Sequence, residues 1–227
     1  MRNLEIKNIN CYAALAMTNN MQSGRSMIEM LGVLAIIGVL SVGGIAGYSK
    51  AMMKYRINKT ISLITETSQG VRSFFAPQRS YAGVGNKDVQ TKAKLMPDYV
   101  DCESGFCYTP FGSDTEYLIY EENEGKNFSV LVWNIPSEAC LELATQNWNE
   151  VASGSYAIVV GANNDMDVAD YLHDGGKIDN NCSGKVFDNG MIACSKGADI
   201  SMPLGIDMAA NICGNCKDNC SIQLYFK

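Results

Sequence analysis

The sequence is poor in residues and motifs that enzymes commonly use. Its only histidine is His173, and no phosphate-binding loop, GxSxG elbow or HExxH zinc motif is present. A lone histidine more often has a structural role than a catalytic one. We therefore expect no enzyme, no catalytic residue, no cofactor and no bound metal.

The chain has few basic residues, and its N-terminal third has an uncharged stretch and no proline. The net charge is −6 and no long basic patch is visible, which argues against nucleic-acid binding. Residues 30–49 carry no charge at all, and the first proline is Pro77. The sequence therefore predicts one uninterrupted helix over residues 26–76.

The two halves of this helix differ. About 20 apolar residues are enough to cross a bilayer, so residues 25–49 are predicted to be a transmembrane or assembly helix. Residues 50–76 are amphipathic and are predicted to pack against a globular head formed by residues 77–227. The apolar positions of this second half are Met53, Ile57, Ile61, Ile64, Val71 and Phe75.

Glu29 lies within the run of apolar residues at the start of the helix. A carboxylate in such a helix costs about 2.5–3.5 kcal/mol and usually has a partner. A positive charge at the start of the same helix in another subunit is one candidate, and solvation by lipid headgroups is the alternative. Gly43 and Gly47 form a small-xxx-small pair suited to close helix packing, although membrane helices often contain glycine.

Residues 1–24 are predicted to be a leader. A standard secretory signal has its small-residue cleavage site after the apolar stretch, whereas Gly24 precedes it. The positive charges after the apolar run conflict with a simple positive-inside orientation. These charges are Lys50, Lys54, Arg56 and Lys59.

Eight cysteines follow the apolar run, and only Cys11 precedes it. An even number predicts a disulfide framework in an oxidising compartment, with residues 76–227 outside the cytoplasmic membrane. Cys213 and Cys216 are spaced like half a zinc site, but disulfides are favoured. The acidic residues 163–170 lack EF-hand spacing, so a solvated loop is favoured over calcium binding. The eight cysteines are Cys102, Cys107, Cys140, Cys182, Cys194, Cys213, Cys216 and Cys220.

The head is predicted to be α+β. Residues 115–121 and 127–133 alternate and predict a β-hairpin. A helix is predicted over residues 138–151 with Ser137 as its N-cap. Further strands are predicted at 155–160, 191–194 and 220–226, the last of them ending the sheet. Residues 77–101 and 161–190 are predicted to be loops.

The segment Gly24, Arg25, Ser26, Met27, Ile28 and Glu29, followed by the apolar run, resembles a type IV prepilin. The resemblance implies that prepilin peptidase cuts after Gly24 and methylates the new N-terminus at Arg25. It also implies that Glu29, the fifth mature residue, sets the assembly register. Arg25 departs from the hydrophobic residue usual at this position, and the cysteines exceed the family's usual single bridge.

A leader of about 24 residues and Met27 resemble the type IVb subgroup, which includes the toxin-coregulated and thin-pilus pilins. Residues 109–112 and 132–144 resemble it more weakly. The resemblance implies a long helix packed on a mainly antiparallel sheet with disulfide-bounded C-terminal loops. It implies a bridge from Cys140 to Cys213, Cys216 or Cys220, with Cys213 favoured. The remaining local pairs would be Cys216–Cys220, Cys182–Cys194 and Cys102–Cys107.

The resemblance implies a structural subunit that polymerises with itself into an extracellular pilus. Its other partners would be prepilin peptidase, the inner-membrane pilus assembly machinery and, before assembly, membrane lipid. Before assembly the head would lie in the periplasm. The alternatives are a type II secretion pseudopilin, a minor pilin, or a monomeric membrane-anchored ectodomain that binds a ligand or metal.

Mass spectrometry of the membrane-extracted protein tests the leader prediction. We expect the mature chain to begin at Arg25, with or without a methyl group on its α-amine. A chain that retains residues 1–24 would instead indicate an uncleaved signal anchor.

Overall fold

A computed structural model describes residues 27–100, 102–103, 106–162, 185–187, 190–194, 203–216 and 219–227. Its contacts divide the chain into two units, Met1–Ala51 and Met52–Lys227. Helix α1 (Met27–Phe75) contributes residues to both units. The predicted helix over residues 26–76 is therefore confirmed to within one residue at each end.

In the first unit, α1 is exposed along its whole described length, residues 27–51. The helix has no proline to interrupt it, and its Ser49 hydroxyl donates a hydrogen bond to the carbonyl of Ile45 at 3.0 Å. This local bond satisfies the hydroxyl within the helix itself.

In the second unit, one face of α1 is buried in the hydrophobic core. The buried apolar residues follow helical spacing, as the amphipathic pattern predicts, and Met53 and Ile61 pack beside them while remaining partly exposed. Thr60 and Ser68 are also buried, and each donates a hydrogen bond to a backbone carbonyl of the preceding turn. The buried apolar residues of α1 are Ile57, Leu63, Ile64, Val71 and Phe75.

The head contains an eight-stranded sheet in which every pairing is antiparallel. The strands are β1 (Cys102–Glu103), β2 (Phe106–Thr109), β3 (Gly112–Glu122), β4 (Asn127–Ile135), β5 (Ser155–Ala162), β6 (Lys185–Phe187), β7 (Gly190–Cys194) and β8 (Cys220–Phe226). Their order across the sheet is β1-β2-β3-β4-β8-β5-β7-β6.

The predicted hairpin is formed by β3 and β4, whose last pair is Glu122 with Asn127. Its turn places Asn123, Glu124 and Gly125 at positive φ. A Cβ at Gly125 would lie 2.8 Å from the backbone nitrogen of Ala82, so only glycine fits without displacing the backbone of residues 80–82.

Two strand predictions need correction. β8 was expected to end the sheet, but it lies between β4 and β5, because it pairs with both over most of its length. Residues 185–187, expected to be loop, form the short strand β6, which pairs with β7.

His173 and the acidic residues 163–170 lie outside the described residues.

Among its described residues, the head has the helices α2 (Lys87–Lys92), α3 (Ser137–Ala144), α4 (Trp148–Val151) and α5 (Ile206–Cys216). α2 interrupts the loop expected over residues 77–101. Neither α2 nor α5 was predicted. The buried residues of α5 have helical spacing: Ala209, Ile212, Cys213 and Cys216.

The helix predicted over residues 138–151 is wrong in two respects. It divides into α3 and α4, and Pro136, rather than Ser137, occupies the N-cap position. The break follows from the side chain of Trp148, which is buried and donates its indole N–H to the carbonyl of Leu143 at 2.8 Å. That bond satisfies one of the last carbonyls of α3.

Candidate functional site

The first unit presents an exposed apolar surface that we call the N-terminal helix surface, residues 27–51. By length and composition α1 is suited to cross a membrane. A surface of this kind is not stable in water, so it needs lipid or protein to cover it. Its large exposed apolar residues are Met27, Ile28, Met30, Leu31, Val33, Leu34, Ile36, Ile37, Val39, Leu40, Val42, Ile45 and Tyr48.

Glu29 is the only acidic residue of this surface and lies in the first turn of α1. The positive end of the helix dipole favours a carboxylate at this position. Within the described part of the first unit, the only basic residue is Lys50, about six turns further along the helix. Gly24 and Arg25, the predicted processing site, lie outside the described residues.

The glycines of the N-terminal helix surface have no packing role in the described chain. A Cβ at any of them would meet nothing within 4 Å, whereas a Cβ at Gly70 would lie 2.9 Å from the carbonyl oxygen of Leu95. Each glycine nevertheless costs a helix about 1 kcal/mol relative to alanine. The surface glycines are Gly32, Gly38, Gly43, Gly44 and Gly47.

Gly43 and Gly47 are one helical turn apart and leave a shallow strip on the same face of α1. Such a strip lets the backbone of another helix approach closely. The predicted packing role of this pair needs a partner outside the chain, and it stays a prediction.

Two of the basic residues that follow the apolar run make contacts within the head. Lys54 forms an ion pair with Glu142 of α3. The ammonium of Lys59 lies 3.3 Å from the ring centroid of Tyr99, and the Tyr99 hydroxyl donates to Glu66 at 3.2 Å. Burial, with the nearby Glu66 carboxylate, raises the pKa of Tyr99 to about 12.

These contacts give Lys54 and Lys59 a role in positioning the head residues that flank α1. Lys54 and Lys59 are two of the four basic residues that conflict with a simple positive-inside count. Lys50 is exposed and Arg56 is partly buried. Sequence reasoning did not find Glu142 or Tyr99, because both meet α1 only through the tertiary fold.

Three disulfides are present among the described residues: Cys102–Cys107, Cys140–Cys213 and Cys216–Cys220. The first joins paired positions of β1 and β2. The second links α3 to α5 across 73 residues of sequence. A closed loop of that length stabilises a fold by about 4 kcal/mol in the chain-entropy view. The predicted pair Cys182–Cys194 lies outside the described residues, because Cys182 is not among them.

Comparison with known proteins connects the head to one family. A family model described as Bundlin matches residues 50–176, more than half of the chain. The major structural subunit of bundle-forming pilus from Escherichia coli O127:H6 (strain E2348/69 / EPEC) is 23% identical over 148 residues, which cover 65% of this chain and 77% of that protein. The protein of the same description from Escherichia coli O111:H- is 22% identical over 150 residues, with 66% and 77% covered.

The family match begins at residue 50, at the very end of the N-terminal helix surface. It therefore does not depend on the motif around Gly24 and Glu29. The N-terminal motif and the sequence of the head point to the same family independently.

The glycine geometry predicts a contrast between two alanine variants of α1. Gly47→Ala should not lower the free energy of unfolding of the head, because the new methyl group contacts nothing in the described chain and alanine favours a helix more than glycine does. Gly70→Ala should destabilise the head by about 1–3 kcal/mol, because the Leu95 carbonyl must move. Denaturant unfolding in detergent, followed by the fluorescence of Trp133 and the buried Trp148, measures both. Equal losses would show that Gly47 has a packing role inside the chain.

Proposed function

The chain belongs to the Bundlin family, and from this membership we propose that it is a structural subunit of a type IV pilus of the type IVb class. The subunit polymerises with itself through α1. The role is structural and not enzymatic. The observation that carries this proposal is the exposed apolar surface over residues 27–51, which the described chain leaves uncovered.

The N-terminal helix surface has two successive environments in this account. Before assembly it lies in lipid, in the inner membrane, where length and apolarity are sufficient to hold it. In the pilus it packs against the same helix of neighbouring subunits. Lipid tails are as apolar as the helix, so the hydrophobic effect does not drive this exchange. Close packing must drive it, and the open glycine positions permit that packing.

Besides its apolar surface, the helix gains a positive charge for assembly when prepilin peptidase cleaves between Gly24 and Arg25. It exposes the α-amino group of Arg25, which the peptidase then methylates. This cation is four residues, or about one helical turn, from Glu29. A neighbouring subunit displaced by about one turn would place its terminal amine level with Glu29 and pair the two charges.

Such a pair fixes axial register because an unpaired charge in an apolar bundle is costly. Removing one partner of a buried pair costs about 3–5 kcal/mol. Any stagger that leaves Glu29 without the neighbour's amine is therefore disfavoured. The inner-membrane assembly machinery would add subunits at this stagger.

The head lies in the periplasm before assembly and on the outer surface of the extracellular pilus afterwards. The disulfides support this placement, because such bonds persist in oxidising compartments. Lys54 and Lys59 are held by contacts within the head, and this supports a membrane-external position for the turns that follow the apolar run.

A type II secretion pseudopilin or a minor pilin would share the same N-terminal helix. The major-subunit descriptions of both curated relatives favour the major pilin. A monomeric ectodomain on an uncleaved anchor is the alternative from another class. It leaves without a packing partner the five glycines that contact nothing in the described part of the chain.

Replacement of Glu29 tests the register role. Glu29→Ala and Glu29→Val should leave the leader cleaved and the membrane-bound subunit at its normal level. The yield of sheared filaments should fall about tenfold or more, since each 1.4 kcal/mol lost at a subunit contact is a factor of ten.

Glu150→Ala is the matched control, because Glu150 is an exposed carboxylate of the head. It should assemble normally. Normal filament yield from both Glu29 variants would contradict the register role.

A further inference from the structure

A cavity of about 450 Å³ lies beside α2 in the head. We call it the α2 cavity. Its lining comes from α2, from the segment that follows α2 and from the disulfide between Cys102 and Cys107. The volume is within the range of about 300–1,000 Å³ that is typical of pockets that take a ligand. The head therefore has room at its surface for a group from outside the chain.

The lining of the α2 cavity is partly basic and partly apolar. Lys87 and Lys94 contribute two positive charges, and Asp98 contributes one negative charge. The carboxylate of Asp98 lies 3.8 Å from the ammonium of Lys94, but both side chains are largely exposed, so this pair is weak. A carboxylate attached to apolar groups would match such a lining. The apolar residues of the lining are only partly buried: Met96, Pro97 and Val100.

The first turn of α5 has this combination of groups. Ile206 is 68% exposed, which is the largest exposed fraction of any large apolar side chain in the described head, and Met208 is 38% exposed. Asp207 lies between them on the outward side of the helix, opposite the buried positions that begin with Ala209. We call residues 206–208 the α5 knob.

We propose that the α5 knob of one subunit inserts into the α2 cavity of the next subunit in the pilus. This inference rests on the proposed function and adds a contact between heads to the contacts of the N-terminal helix surface. The knob and the cavity are different patches of one chain, so the contact between two copies is heterologous. Such a contact can repeat from subunit to subunit and build an open helical filament.

Opposite charges favour this pairing over others. The chain has a net charge of −6, so copies of it repel one another on average. The α2 cavity is a local exception, because its lining has more basic than acidic residues. Asp207 would meet Lys87 and Lys94 of the neighbouring subunit, and this match of charges would set the orientation of the two heads.

Apolar contact would supply the remaining stabilisation. Ile206 and Met208 are exposed to water in the described chain, and insertion would cover them with the apolar part of the lining. A single exposed apolar residue is ordinary on a protein surface. Here two such residues flank a carboxylate, and the same chain carries a cavity with the complementary lining.

Site-specific photocrosslinking in sheared filaments tests the contact. Benzoylphenylalanine in place of Ile206 should crosslink to a neighbouring subunit, and mass spectrometry of the crosslinked dimer should map the second site to residues 87–100. The same probe in place of Asn149, an exposed residue of α4, is the matched control and should give no product at these residues.

Two failures of this experiment have different meanings. Normal filaments in which position 206 crosslinks elsewhere, or not at all, would overturn the contact between heads and leave the pilus function standing. If the unaltered chain forms no filaments, the proposed function is overturned and this inference with it.

Charge reversal provides a second test. Asp207→Lys and Lys94→Glu should each lower the yield of sheared filaments about threefold to tenfold, because each brings like charges together. The double variant should recover to within about twofold of the unaltered chain, since it restores an opposite pair. The level of membrane-bound subunit should be the same in all three variants.

Lys92→Glu is the control for charge reversal, because Lys92 is an exposed residue of α2 that does not line the α2 cavity. It should assemble normally. Failure of the double variant to recover, or an equal loss of filaments in Lys92→Glu, would overturn the proposal.

Discussion

The apolar surface of residues 27–51 is the constraint on which the rest of the structure depends. Thirteen large apolar side chains are exposed along it, and one carboxylate lies at its start. Water cannot cover such a surface at acceptable cost. Lipid and a bundle of like helices are the two environments that can, and in the proposed function the subunit passes from the first to the second.

The second half of α1 meets a different requirement. Its buried face anchors the helix in the core, where Ile64 and Val71 are fully buried. The ion pair of Lys54 with Glu142 and the contact of Lys59 with Tyr99 hold its polar face. One helix thereby provides both a surface for other molecules and a central element of the head. The bridge from Cys140 to Cys213 fixes α3 to α5, so the core does not depend on apolar packing alone.

Local patterns in the sequence predicted the elements whose signals are local. The absence of charge and proline predicted α1, and alternation predicted β3 and β4. The predictions from sequence failed where contacts between distant parts of the chain determine the bounds or the position of an element. The Trp148 indole ends α3 early, and β8 is central because both β4 and β5 pair with it. Helix α5 has cysteines on its buried face and Gly214 within it, so its apolar periodicity was weak.

The residues of the candidate site also fall into those that the sequence alone could indicate and those that only the fold brings together. Glu29, Gly43 and Gly47 could be selected from sequence because each is unusual in a membrane-length apolar run. The close approach of Cys140 to Cys216 and Cys220 could not be predicted from sequence, because it depends on how α3, α5 and β8 pack together.

Helical reconstruction of purified filaments by electron cryomicroscopy tests the central claim most directly. The account predicts that residues 27–51 form the filament core, with the Glu29 carboxylate within hydrogen-bond distance of the Arg25 amine of a neighbouring subunit. A filament in which these residues face solvent, or in which Glu29 lies far from every neighbouring N-terminus, would contradict it.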